Sequence, residues 1–163
     1  MVARYSLEDL RRLREQHLSD QIERVAAQVG RVSMAERAAE QALEACKRAQ
    51  RKLDDARSSQ ASRLDDGQAT VQDLARQAAW EGELLRQLEQ ATARRRQAAS
   101  HLVSEQQAEA RARGQLAERE AELKAVERHK QGWTDAIARA EELDIEEQSL
   151  EAWAARAPNR GRV

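Results

Sequence analysis

A chain of 163 residues is long enough for an ordinary globular domain, but with no Phe, one Tyr, three Trp, one Pro and 35% charged residues it has few large side chains for a compact core. Ala, Arg, Glu, Gln and Leu dominate instead, the composition of long helices. The formal net charge is only -1, so no overall field draws the chain onto nucleic acid or anionic lipid.

No apolar run approaches the length of a membrane span, and residues 1–5 lack the apolar core of a signal peptide, so the expected location is the cytoplasm. Ser6 reads as an N-cap with Asp9 completing a short capping box, and Tyr5 with Leu10 as a hydrophobic staple. The first helix is therefore expected to start near Leu7. Alternating steps of four and three then pick out Leu18, Ile22, Val25, Val29, Val32, Glu36, Ala39, Leu43, Cys46, Gln50, Leu53, Arg57, Gln60 and Leu64. A seam this long marks a helix lying along another helix, and it outweighs the disorder that a mean hydropathy of -0.88 would otherwise suggest. The single Cys46 falls on the seam, which makes a buried thiol the expectation and excludes an internal disulfide.

Asp65, Asp66 and Gly67 are turn residues, and Thr70 with Asp73 can cap a second helix. Its seam runs Leu74, Gln77, Glu81, Leu84, Leu88, Ala91, Arg95, Ala98, Leu102, Glu105, Glu109, Ala112, Leu116, Arg119, Leu123, Val126, Lys130, Trp133, Ile137, Ala140. The expected fold is all-α, a single antiparallel coiled-coil hairpin with a first helix over about 6–64, a tip at about 65–69, a second helix over about 70–157 and a frayed tail at 158–163. A fold at Gly67 sets Leu18 opposite Leu116, Val32 opposite Leu102 and Cys46 opposite Leu88, with Glu36 and Arg95 in neighbouring layers as a register lock.

The arms are unequal. At 1.5 Å per residue they span roughly 90 and 130 Å, which leaves the end of the second helix without a partner in its own chain. That overhang carries Trp133, Ile137, Leu143, Ile145, Leu150 and Trp153 interleaved with Glu141, Glu142, Asp144, Glu146, Glu147 and Glu151. Apolar side chains exposed on such a helix read as a partner surface, and the acids favour a basic partner. Trp133, Ile137, Leu143, Asp144, Glu147, Leu150 and Trp153 are the candidate docking residues, with Trp80 near the tip as a further anchor.

No catalytic or metal-binding motif occurs, and His17, His101 and His129 lie far apart in sequence, so neither an enzyme nor a metal or cofactor site is expected. Arg94, Arg95 and Arg96 form the one basic cluster. The near-neutral charge and lack of interleaved aromatics favour pairing with acids across the seam over a phosphate-binding patch.

The segment Lys124-Ala125-Val126-Glu127-Arg128-His129-Lys130 followed by Ala140-Glu141-Glu142-Leu143-Asp144-Ile145-Glu146-Glu147 resembles the central stalk family of type III secretion, the FliJ and YscO class. The resemblance extends to the hairpin with a longer second helix, although Ile145 interrupts the family's Leu-Asp-Glu-like run. It implies a non-enzymatic stalk whose terminal end enters a hexameric secretion ATPase and couples it to the export gate protein, with export chaperones as further partners, beside the inner membrane. A parallel-dimer spacer and an Arg-rich arm that binds nucleic acid or membrane are the alternatives.

Overall fold

The computed structural model describes residues 5–67 and 70–156. Among these residues there are two helices and no strand: α1 is Glu8–Asp65 and α2 is Val71–Arg156. They pack against each other as a helical hairpin, which replaces the parallel-dimer alternative. The expected tail at 158–163, and residues 68 and 69 of the tip, lie outside the described residues.

Helix α1 starts a residue later than Leu7. Leu7 supplies the first helical acceptor, to Arg11 N at 2.9 Å, and Glu8 N bonds back to Tyr5 O at 3.3 Å. Ser6 is exposed, and Tyr5 is buried with its ring against Trp133 of α2. Glu8 and Asp9 place negative charge at the helix start, where the free N–H groups favour it. At the other end Asp66 N reaches Ser62 O and Gly67 N reaches Leu64 O, both at 3.1 Å. Gly67 has φ of 65°, the left-handed conformation that a residue without Cβ adopts at little cost. Thr70 then caps α2 as its spacing suggested: Thr70 N donates to Asp73 Oδ2 at 3.2 Å and Asp73 N donates to Thr70 Oγ1 at 3.2 Å. The Thr70 hydroxyl also donates to the Asp73 carboxylate at 2.6 Å, and this bond holds the Asp73 carboxyl below its usual pKa.

The hairpin divides into two compact units, Glu23–Gly114 and Met1–Ile22 with Gln115–Val163. In the first, the core holds Val32, Ala35, Leu53 and Leu84 together with the buried amide of Gln28. The inward line of α1 runs Val25, Gln28, Val32, Ala35, Ala39, Ala42, Cys46, Ala49, Leu53, Ala56 and Gln60, with gaps of three and four. Every second position of the expected seam therefore turns outward: Ile22 is 52% exposed, and Val29, Glu36, Leu43, Gln50, Arg57 and Leu64 are exposed as well. A two-helix contact covers only a narrow stripe, and here the stripe falls on the line of small residues beside the larger ones. The α2 seam keeps its expected phase from Leu74 to Ile137, except at Arg95.

Arg95 and Glu36 are both exposed and form no ion pair, so the expected lock is absent. Cross-helix polar contacts lie elsewhere in this unit. Gln28 Nε2 donates to Glu105 Oε2 at 2.5 Å and to Glu105 O at 3.2 Å. Arg57 Nε donates to Glu81 Oε1 at 2.6 Å, and Gln77 Nε2 to Ala56 O at 3.3 Å. The Cys46 thiol is partly buried 3.6 Å from the Thr92 hydroxyl.

The other unit is closed by Tyr5. Its ring packs on Trp133 with centroids 5.3 Å apart, and its hydroxyl lies 2.8 Å from His129 Nδ1. One turn on, Glu8 accepts from Arg11 Nη2 at 2.8 Å and from Lys130 Nζ at 2.8 Å. These hydrogen bonds, Arg11 first and then Lys130, lower the Glu8 pKa from 4.5 to about 2. Because the folded-state pKa is the lower one, the contribution is present above the unfolded value of 4.5 and is lost as pH falls toward about 2. Glu8→Gln is accordingly expected to lower stability at neutral pH and to converge with the parent chain near the acid end of that window. Denaturant midpoints across the window test this, and a pH-independent difference would contradict it.

Candidate docking site

A helix that leaves its partner must either change character or expose its seam. Trp133 and Ile137 are half-buried in the unit that contains Tyr5, whereas residues 138–155 are exposed throughout. Continuing the α1-facing line past Ile137 leads to Ala140, Asp144, Glu147 and Glu151, so the line that is largely apolar in the pair becomes acidic in the overhang. The apolar residues change face. Leu143 and Leu150, one heptad apart, share a line, and Trp153 sits one turn beyond Leu150. Together they form a ridge, while Ile145 lies on the other side of the helix. Leu143, Ile145, Leu150 and Trp153 are 64 to 73% exposed.

Six acids, Glu141, Glu142, Asp144, Glu146, Glu147 and Glu151, lie along this stretch with no cation between the first and the last. Asp144 accepts from Gln148 Nε2 at 3.1 Å, within the helix. Of the expected docking residues, Leu143, Asp144, Glu147, Leu150 and Trp153 thus share one exposed segment. Trp133 and Ile137 precede it and are half-buried, Trp133 with its ring on Tyr5.

Trp80 belongs to a different surface, in the unit Glu23–Gly114. It is 53% exposed and lines a trough of about 530 Å³ with Lys52, Asp55, Ala56, Leu84 and Gln87. Gln87 also borders a separate hollow of about 210 Å³ lined by Ala42, Ala45, Gln90, Ala91 and Arg94. The expectation that the Arg cluster pairs across the seam is not met: Arg94, Arg95 and Arg96 are all exposed, and none makes an ion pair or side-chain hydrogen bond with another described residue. Lys52 is likewise exposed and pairs with no other described residue. The half-buried Ala45 and the exposed Lys52 lie beside the inward line of α1, whose alternate positions the expected seam displaced by one residue.

Among the described residues no group of three or more His, Cys, Asp or Glu could hold a metal ion, and no helix is long and apolar enough to cross a membrane. His101 Nδ1 is 3.8 Å from Glu105 Oε1, and the buried His17 Nδ1 has no hydrogen-bond partner. No protein-family model, curated protein or solved structure matches the chain.

Proposed function

We propose that this chain is a non-enzymatic coiled-coil stalk that docks through the exposed end of α2, and that its partner is a hexameric secretion ATPase of the type III class. The observation that carries the docking end is the ridge of Leu143, Leu150 and Trp153, exposed and set among six acids on a segment that the described part of α1 does not cover. Apolar side chains exposed in this way favour a protein partner, and the surrounding acids select a basic one. The choice of ATPase rests on the resemblance of residues 124–130 and 140–147 to the secretion stalk family, from which contacts with an export gate and export chaperones follow as part of the same reading.

The test is affinity capture from native cytosol with the full-length chain and with Leu143→Ala, Leu150→Ala, Trp153→Ala. The parent chain is expected to recover a hexamer-forming ATPase. The triple variant should lose at least about tenfold of it, because central apolar anchors carry most of an interface's energy. At concentrations where the chain is monomeric its helical signal and melting point should not change, since these side chains are exposed on α2. Equal recovery by both chains would remove the overhang as the docking end, and recovery of nucleic acid alone would remove the stalk reading. The exposed Arg94–Arg96 run favours that second outcome to the extent that retention on heparin survives physiological salt.

A further inference from the structure

The trough beside Trp80 and the acidic overhang are complementary surfaces. The trough and the hollow that shares Gln87 with it are lined by Ala56 and by Ala42, Ala45 and Ala91, small enough to let a helix approach closely, and by the exposed cations Lys52 and Arg94, which pair with no other described residue. Asp55 is the one carboxylate in its lining. The overhang presents the opposite features: Leu143, Leu150 and Trp153 stand out from a helix whose flanks carry Glu146, Glu147 and Glu151. We propose that the trough is the docking site for the 141–153 segment of a second copy of this chain. Its carboxylates would meet Lys52 and Arg94, and its apolar ridge would lie on the alanines beside Trp80. Pairing of overhang with overhang is disfavoured, because it would oppose acid to acid.

This assignment is independent of the secretion reading, since both surfaces belong to the one chain. It adds a regulatory consequence: in the free protein the ridge is held by another copy, and any foreign partner of the overhang must compete for it. Mass action then links concentration to availability of the docking end.

The experiment uses the full-length chain and measures molar mass by light scattering across the micromolar range and in rising salt. The parent protein is expected to shift from its monomer mass of 18.4 kDa to higher mass as concentration rises, and back as salt screens the pairing. Lys52→Glu, Arg94→Glu reverses the trough, and Glu146→Lys, Glu147→Lys, Glu151→Lys reverses the overhang. Each variant alone should associate at least about tenfold more weakly, because every close charge pair becomes a repulsion. Mixed, they should recover association, because the reversed overhang then matches the reversed trough. A parent chain that stays monomeric throughout, an association indifferent to either reversal, or a mixture that fails to recover would each overturn the assignment. Loss of ATPase capture would leave it standing.

Discussion

Leu53→Ala is expected to lower the unfolding free energy by about 2–5 kcal/mol, and Leu84→Ala by a similar amount. These side chains are 1% and 2% exposed, the deepest apolar groups in the unit Glu23–Gly114. Around them the contact face is built mainly from Ala, Val and Gln, which cannot grow into the space that a truncated leucine leaves. The cost is therefore the lost transfer energy plus an uncollapsed cavity. The matched control, at concentrations where the chain is monomeric, is Leu143→Ala, an identical change on an exposed site, expected to shift stability by less than about 0.5 kcal/mol. Denaturant midpoints of the three variants decide the point. Comparable losses at Leu53 and Leu143 would mean that the overhang is packed in solution.

The contrast between those leucines also shows where the sequence was informative. The α2 seam was legible because its flanking positions are mostly polar, so only one apolar line was available to choose. In α1 two neighbouring lines compete. Ile22, Val29, Leu43 and Leu64 are larger than Gln21, Gln28, Ala35, Ala42, Ala49 and Ala56, and a hydropathy rule favours the larger set. The hairpin buries the smaller one, because alanines admit the facing helix more closely and long glutamine side chains can both fill space and bond across it. The tip was legible for a different reason: Gly67 and the Thr70–Asp73 box act through local hydrogen bonds and backbone geometry. Of the candidate site, the overhang could be read from unequal arm lengths alone, and the structure adds that its apolar ridge leaves the α1-facing line. The trough could not be read, since it depends on the line of α1 that was misplaced. The same displacement explains why Glu36 and Arg95 were paired on paper and stand apart in the fold.

Gln28 with Glu105 is the cross-helix contact of the unit Glu23–Gly114 whose donor side chain is buried, and its two partners predict opposite outcomes when removed singly or together. Gln28 is buried, and its amide gives both hydrogens to Glu105, one to the carboxylate at 2.5 Å and one to the backbone carbonyl at 3.2 Å. Gln28→Leu is expected to cost about 1–3 kcal/mol, because the Glu105 carboxylate, only 20% exposed, loses its cross-helix donor. The distant His101 ring, 3.8 Å away and 61% exposed, does not replace it. Gln28→Leu with Glu105→Leu should recover that loss and can exceed the parent chain in stability, since paired apolar groups carry no desolvation penalty. The gain should come with a loss of uniqueness: once the layer is leucine on both sides, sliding one helix by a heptad no longer strands a polar group. Urea midpoints measure the first effect, and a second set of amide resonances in the double variant measures the second. If the double variant proves more stable and still shows a single set, the contact is a dispensable hydrogen bond and register resides in the apolar layers around Leu53 and Leu84.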